Sequence, residues 1–254
     1  MPAVIKHQLA LALRLADAAD GREVENNVSF WVDGKEQLPR RKANGYFIFT
    51  DPDLLLGDYS LEVRARGYIP VCRRVRLEAP GVSPPDLRLE LTPAPDPGTA
   101  ALYHSLTGRL PELTGIDAVA ATGGACQVKS YDPRRRRLTV FNPHRQEFER
   151  ALYALVLTDE TRYIPFAVTG RAGETLIIDR PLTLKNAVNL PLAPVVAGVT
   201  GPEGDYILRM RKTAAGGRWI VRCRWREADK FTLVDFNKPA AWDQDEFLRA
   251  VQQE

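Results

Sequence analysis

Apolar and polar residues alternate with a period of two through most of the first 92 residues, which is the pattern of strands buried on one face. Turn-forming Gly, Asp, Asn and Pro residues separate the alternating segments. The apolar positions of these segments are Leu9, Leu11, Leu13 and Leu15; Val28, Phe30 and Val32; 46–49; Tyr59, Leu61, Val63 and Ala65; Val71, Val75 and Leu77; and Leu87, Leu89 and Leu91. The pattern predicts an all-β sandwich of six or seven short strands.

Glycine and aromatic residues mark the middle of this region. The sequence runs Asn44-Gly45-Tyr46-Phe47-Ile48-Phe49, then Gly57-Asp58-Tyr59-Ser60-Leu61-Glu62-Val63, then Gly67-Tyr68. This order resembles the transthyretin-like, or carboxypeptidase regulatory-like, β-sandwich domains over about the first third of the chain. The resemblance implies the fold of an accessory, binding or structural module and leaves the function open, because one fold hosts many functions.

The resemblance also raises one enzyme class, the transthyretin-related hydrolases that act on a purine breakdown product. Those enzymes rely on histidines and an arginine in a central channel and on a C-terminal tetrapeptide that contains tyrosine. This chain has only His7, His104 and His144, and its first predicted domain ends in Leu89-Glu90-Leu91-Thr92-Pro93. Since the signature is missing, the sequence disfavours this activity.

A Pro-rich stretch at 93–98 predicts an extended connector between two domains, 1–92 and 99–254. The second domain is also strand-rich. A Gly-Asp-Tyr turn and strand at 204–208 echoes 45–49, so one alternative is a second, degenerate sandwich and another is an unrelated β domain. Predicted strands cover Cys126 to Tyr131, Arg137 to Phe141, Ala151 to Thr158, Arg162 to Val168, Thr175 to Ile178, Asp205 to Arg211 and Trp219 to Trp225.

The C-terminal residues change from period two to a helical pattern. Asp243 and Glu246 have the spacing of a capping box, and Phe247, Leu248 and Val251 then share one helical face. We expect a short amphipathic helix at 243–253 that packs on its own domain. The predicted fold class is therefore mainly β, with two β-rich domains and a short C-terminal helix.

Composition excludes few functions. The chain has 254 residues, of which 44% are hydrophobic and 26% are charged, and its formal charge is only +3, so no global field demands a nucleic acid or a membrane as partner. No stretch approaches the about 18 apolar residues of a membrane span. Arg14 and the strict leucine alternation predict a strand, not a signal peptide, at the N-terminus, and so synthesis in the cytoplasm.

Catalytic and metal-binding patterns are weak. Cys72, Cys126 and Cys223 have no paired spacing and are interpreted as buried free thiols, with no disulfide or zinc site. Asp51 and Asp53 fit a turn better than a calcium site, which needs more oxygen ligands. We therefore predict no catalytic residue, no metal and no cofactor, while an unrecognised active site within 99–254 stays an alternative.

Arginines form the most distinctive chemical pattern. In a strand at 218–226, one face would carry Trp219, Val221, Cys223 and Trp225, and the other would carry Arg218, Arg222, Arg224 and Arg226. A basic hairpin tip or strand start is predicted at Arg134, Arg135 and Arg136, and Arg64, Arg66, Arg74 and Arg76 alternate in the first domain. Such faces could bind a nucleic acid or an acidic polysaccharide. The favoured interpretation is a solvated face on which arginines pair across strands with Glu62, Glu78 or Glu90.

Trp31 is out of phase with the buried positions of its strand and is expected to point outward. A flat indole there could stack on a sugar or on an apolar patch of a partner. Packing against the second domain is an equally good explanation.

The leading functional hypothesis is a non-enzymatic structural or adaptor protein that binds other proteins through sheet faces or edges. A component of a particle assembled in the cytoplasm, such as a phage-tail-like or contractile injection particle, would combine this fold with the predicted lack of a signal peptide. The alternative is a binding module for carbohydrate or an anionic polymer.

Overall fold

The computed structural model describes residues 9–42, 44–50, 57–77, 86–96, 100–122, 124, 126–143, 148, 150, 152–184, 186–212, 217–226 and 228–238. Within these ranges the chain is mainly β, which confirms the predicted fold class, and the one helical element is a 3-10 turn at Ala100–Leu102. The described part has no helix that is long and apolar enough to cross a membrane. The predicted C-terminal helix lies outside the described residues. The chain divides into two compact units, Met1–Asp96 and Pro97–Glu254.

The described residues of unit 1 form two four-stranded sheets, ordered β4-β5-β1-β8 and β3-β2-β6-β7. β1 is antiparallel to β5 and parallel to β8, and the other pairs are antiparallel. The strands are β1 (Leu9–Asp17), β2 (Val28–Val32), β3 (Lys35–Gln37), β4 (Arg40–Arg41), β5 (Tyr46–Thr50), β6 (Gly57–Ala65), β7 (Val71–Leu77) and β8 (Asp86–Leu91). The six segments that alternate in the sequence correspond to β1, β2, β5, β6, β7 and β8.

The alternating apolar residues of both sheets form the core of unit 1. Phe30 lies at its centre, with its ring centroid 4.8 Å from that of Phe47 and 5.5 Å from that of Phe49. Leu13 and Val63 are fully buried. The period-two pattern thus arises because each sheet buries one face.

The first residues of the Pro-rich stretch belong to unit 1. The Ile69 N–H donates to the Thr92 carbonyl at 2.9 Å, and the Ala94 N–H donates to the Gly67 carbonyl at 2.8 Å. The division between the two units falls further along the stretch, between Asp96 and Pro97.

Unit 2 combines two open sheets with a closed six-stranded barrel. The sheets are ordered β17-β10-β20-β21 and β18-β19-β9, and the barrel is ordered β11-β12-β15-β14-β13-β16. The strands of unit 2 are β9 (Tyr103–Arg109), β10 (Gly115–Ala120), β11 (Cys126–Asp132), β12 (Arg137–Phe141), β13 (Leu152–Val156), β14 (Tyr163–Ala172), β15 (Thr175–Ile178), β16 (Pro191–Pro194), β17 (Val196–Ala197), β18 (Val199–Thr200), β19 (Asp205–Arg211), β20 (Arg218–Arg224) and β21 (Asp229–Asp235). All six barrel strands lie between β10 and β17 in the sequence, so the barrel is an insertion between strands of the open sheets.

Three clusters of buried side chains stabilise unit 2. The first lies between the two open sheets and includes Leu208 and Val221, and the second fills the barrel and includes Leu138. The third joins the barrel to the sheet of β10 and β20, and it includes Ile220. β10 and β20 are therefore covered on both faces, which is why nearly every residue of these two strands is buried.

The predicted echo between the units is a local turn. Gly45 and Gly204 both have positive φ, 72° and 84°, and each lies close before a strand. β5 pairs with β4 and β1, whereas β19 pairs with β18 and β9.

Candidate functional site

A buried charge cluster joins the barrel of unit 2 to the open sheet. Asp117 of β10 is only 2% exposed and lies directly opposite Arg222 of β20. Arg222 donates from Nε to Asp117 Oδ1 at 3.0 Å and from Nη2 to Asp117 Oδ2 at 2.7 Å. The hydroxyl of Tyr163, on barrel strand β14, donates to the same Oδ1. The remaining guanidinium nitrogen, Nη1, donates to Asp229 Oδ2 at 3.2 Å.

The electrostatics of the cluster favour a charged Asp117–Arg222 pair with a neutral phenol beside it. Burial, followed by the charge of Asp117, holds the pKa of Tyr163 well above its usual value. Burial acts to lower the pKa of Arg222, but the hydrogen bonds and the charge of Asp117 outweigh it, and the net pKa is raised. Both carboxylate oxygens of Asp117 already accept hydrogen bonds. We assign this cluster a structural role, which is to fix the barrel against the sheet.

The four arginines predicted on one face of a strand have different surroundings. Arg222 is buried in the charge cluster, Arg224 Nε lies 3.4 Å from Asp117 Oδ2, and Arg218 pairs with Glu160 at 3.4 Å. Arg226 is exposed beyond the end of β20. Ile220, on the same face, is fully buried against the barrel. The inserted barrel therefore covers the middle of this face, at Ile220 and Arg222, while the side chains of Arg218 and Arg224 stay partly exposed at its ends, so the arginines do not form one continuous solvated face.

The structure places Arg134, Arg135 and Arg136 in the turn between β11 and β12, as the sequence predicted for a hairpin tip. The Arg135 N–H donates to Asp132 Oδ1 at 3.0 Å, and Arg136 Nη1 donates to the Asp179 carbonyl at 2.9 Å. All three arginines are exposed. These arginines belong to the barrel, whereas Arg218, Arg222 and Arg224 belong to β20 of an open sheet, so the two groups do not form one basic run along a strand.

Trp31 lies on the outer face of β2, opposite Glu62 of β6. The Arg64 guanidinium carbon is 4.2 Å from the centroid of the indole, and Arg64 Nε lies 2.5 Å from Glu62 Oε1. A guanidinium thus covers the ring face that the sequence offered for ligand stacking. Arg64 pairs with a glutamate of its own strand, not across strands.

The edge of β21 is a candidate site that no pattern in the sequence indicated. β21 ends its sheet, and within the described residues only β20 pairs with it. Trp225 N–H donates to the Ala228 carbonyl and Phe236 N–H to the Gly217 carbonyl, which fixes the ladder. In that ladder the backbone N–H and C=O groups of Asp229, Phe231 and Leu233 point away from β20.

An open pocket of about 360 Å³ lies beside this edge. One wall consists of Asp229, Lys230 and Phe231, and the other of Thr161 and Arg162. Side chains of consecutive strand residues point to opposite faces. Three consecutive residues line this pocket, as expected where a strand presents its edge, so we interpret the pocket as a groove beside the first residues of the open edge of β21.

Comparison with known proteins adds no assignment to these sites. No protein-family model matches the chain, and no curated protein sequence matches it either.

The remaining candidate residues do not converge. Cys126 and Cys223 are buried, as predicted, but Cys72 is exposed because it lies on the outer face of edge strand β7. His104 stacks on Phe236 at 4.2 Å, and burial, followed by the charge of Lys212, lowers its pKa. Among the described residues, no three His, Cys, Asp or Glu side chains are grouped as a metal site would require. His7, His144, Asp51 and Asp53 lie outside the described residues.

Proposed function

We propose that this chain is a structural or adaptor protein that binds an extended segment of another protein as an added strand at the edge of β21. Two observations carry the proposal: the groove that Asp229, Lys230 and Phe231 line at the start of that edge, and the backbone N–H and C=O groups of Phe231 and, further along the strand, of Leu233, which point away from β20. Strand addition uses such unpaired backbone groups for affinity and side-chain contacts for specificity.

Charge and side-chain pattern describe the partner segment. The residues of β21 whose backbone faces the open edge are Asp229, Phe231, Leu233 and Asp235, with apolar residues between two carboxylates. Opposite charges and apolar pairs stabilise directly opposed positions. Asp229 already accepts from Arg222 through Oδ2, so Asp235 is the stronger attraction for a cation. We therefore give the matching segment Lys or Arg at both ends, the one opposite Asp235 contributing most, and β-branched or aromatic residues at alternate positions between them.

A second copy of this chain fits the edge less well. In the fully overlapped antiparallel register of two β21 strands, Asp229 of each copy would lie opposite Asp235 of the other. Like charges directly opposite each other destabilise a strand pair. The carboxylates thus act against self-pairing and favour a different, basic partner.

Amide hydrogen exchange on the full chain tests strand addition residue by residue. The probe is the synthetic peptide Lys-Thr-Val-Thr-Ile-Thr-Lys, and the matched control replaces both lysines with glutamate. We expect the lysine peptide to slow exchange at the Phe231 and Leu233 amides. The amides of Lys230, Thr232 and Val234, which face β20, should be protected already.

A proline substitution supplies the second arm of this test. Leu233→Pro removes one outward N–H without touching the ladder to β20, a position where edge strands tolerate proline. We expect it to abolish peptide binding, while Leu233→Thr retains it. Equal binding of the two peptides, or no change in exchange at saturating lysine peptide, contradicts the proposal.

The wider assembly is a separate question. The expectation of a phage-tail-like or contractile injection particle stays a prediction. Light scattering of the purified chain, mixed with the proteins that the neighbouring genes encode, would test the particle hypothesis. A chain that stays monomeric with all of these proteins would contradict that hypothesis.

A further inference from the structure

The hairpin between β11 and β12 gives one end of the barrel a concentrated positive charge. Five arginines, Arg134, Arg135, Arg136, Arg137 and Arg180, occur here with two carboxylates, Asp132 and Asp179, an excess of three positive charges in a chain whose net charge is +3. This group of residues, from the hairpin tip and from the end of β15, thus carries as much excess charge as the whole chain, and the field is local.

The backbone of the tip is held in place by contacts that leave two arginines available. Arg136 has a φ of 53°, in the left-handed region where glycine or asparagine is usual. Its side chain donates to the Asp179 carbonyl, and Asp132 accepts from the Arg135 N–H, so both residues have structural contacts. Within the described part of the chain, no hydrogen bond or ion pair engages the guanidinium groups of Arg134 and Arg137.

The positive tip continues into an outward strip along β12. Leu138 and Val140 point into the barrel, and Arg137, Thr139 and Phe141 therefore point outward. Phe141 is 57% exposed. Phe141 follows Arg137 by four positions on the strand, a distance of about 13 Å. The strip thus offers cations at one end and a flat aromatic ring at the other.

We propose that this strip, the outer face of the β11–β12 hairpin, binds single-stranded nucleic acid. Arg134 and Arg137 contact phosphates, and the exposed ring of Phe141 stacks on a base. Cations that follow the backbone together with aromatic side chains that stack on bases are the combination used for single-stranded nucleic acid. The cations alone would equally suit a sulfated polysaccharide, and a ring can also stack on a sugar. Nucleic acid is the favoured ligand because every base offers the ring a π-face.

Fluorescence anisotropy of a labelled oligothymidylate with the full chain, at several salt concentrations, measures this binding. Replacing both free arginines, Arg134→Ala with Arg137→Ala, should weaken binding about tenfold or more and reduce the slope of log affinity against log salt by about 1.4. The matched control, Arg74→Ala with Arg76→Ala, removes the same charge from exposed positions of β7 and should leave the affinity unchanged. The lysine versions, Arg134→Lys with Arg137→Lys, should retain binding, which separates lost phosphate contacts from misfolding.

Phe141 supplies the second arm. Phe141→Ala should weaken binding about fivefold or more, and Phe141→Leu should do the same because it keeps an apolar side chain but no ring. Equal losses from the two arginine pairs, or no loss from the tip pair, overturn the proposal. Tighter binding of heparin than of oligothymidylate, with no response to either Phe141 variant, overturns the nucleic-acid assignment in favour of a polysaccharide.

Discussion

Arg222 donates two parallel hydrogen bonds, of 3.0 and 2.7 Å, to Asp117, and the two residues lie on β20 and β10, the central strands of their sheet, which are covered on both faces. The pair lies directly across two neighbouring strands, and Tyr163 links it to the barrel. A buried ion pair adds little net stability compared with apolar residues in the same place. Removal of one partner, however, leaves the other charge buried with no opposite charge beside it, which is strongly destabilising. The relationship is therefore a test of how unit 2 is held together.

We predict that Asp117→Ala lowers the free energy of unfolding by roughly 3–5 kcal/mol, because Arg222 loses the carboxylate that compensates for its burial. Arg222→Met should cost a similar amount, and the double variant should cost less than the sum of the two. Urea unfolding of all four proteins measures the coupling. Additive losses would contradict the predicted coupling.

An exposed ion pair of the same unit provides the control. Arg109 Nη2 lies 2.5 Å from Glu203 Oε2, but both side chains are more than half exposed. Glu203→Ala should therefore change stability by about 0–1 kcal/mol. A loss as large as that of Asp117→Ala would show that burial is not what distinguishes the two pairs.

Two buried tyrosines predict a loss of stability in alkali. Burial, followed by the charge of Cys223, raises the pKa of Tyr206 to about 12, and burial, followed by the charge of Asp117, holds the pKa of Tyr163 well above its usual value. In the unfolded chain tyrosine ionises near pH 10. As the pH rises, the unfolded state thus loses these protons before the folded state does. The stability that the two neutral tyrosines contribute is therefore complete below about pH 10 and falls as the pH rises towards 12.

Unfolding measured as a function of pH checks this prediction. Tyr206→Phe removes one phenol that titrates between about pH 10 and 12. The stability of this variant should therefore decline less steeply over that pH range than the stability of the wild type. Phenolate absorbance should rise for these residues only together with unfolding. Identical slopes for the two proteins would contradict the assigned burial.

The sequence predicts unit 1 far better than unit 2 for a physical reason. β1 and β6 bury one face, so Leu11 and Leu13 alternate with small alanines, Leu61 and Val63 alternate with polar residues, and both patterns identify the strands. β10 is buried on both faces, which removes the alternation, and its sequence Gly-Ile-Asp-Ala-Val-Ala gave no strand prediction. An aspartate inside that apolar segment was the available signal of a buried charge.

The candidate sites also differ in how far the sequence predicts them, because some depend on local sequence and others on strand pairing. Hairpin chemistry is local, so the sequence predicted a hairpin tip or strand start at Arg134, Arg135 and Arg136, and these residues lie in a turn between two strands. Alternation correctly assigned Arg222 to one face of its strand, but it carries no information about what covers that face. The partner of Arg222, Asp117, is 105 positions away in the sequence and reaches it only through strand pairing. The edge of β21 could not be predicted either, because sheet order determines which strand is last.

The three cysteines should differ in reactivity. Cys72 is exposed, whereas Cys126 and Cys223 are buried, and burial, followed by the charge of Asp117, raises the pKa of Cys223 to about 12. Because the thiolate is the reactive form, burial and a raised pKa both slow reaction. A thiol reagent should modify one cysteine of the native protein and all three after unfolding. Cys72→Ser should abolish the native reaction, and rapid modification of a second thiol would contradict this assignment.

Gly204 should be far less tolerant of substitution than a glycine with the same backbone preference elsewhere in unit 2. Its φ is 84°, and a Cβ atom there would lie 1.9 Å from the Leu110 carbonyl oxygen. That contact exists because the Leu110 N–H donates to the Gly204 carbonyl at 2.9 Å, which brings the two backbones together. Gly173 also has a positive φ, 60°, but has open space where its Cβ would lie.

Alanine at either position adopts the left-handed region at a cost of about 1–2 kcal/mol. Gly204→Ala must in addition separate β19 from the turn that follows β9, so we expect it to exceed the loss from Gly173→Ala by roughly 2 kcal/mol or more. Urea unfolding of the two variants measures the difference. Equal losses would mean that the turn at Gly204 adjusts without disturbing the strand pair, and that only its φ, not its close contact, requires glycine.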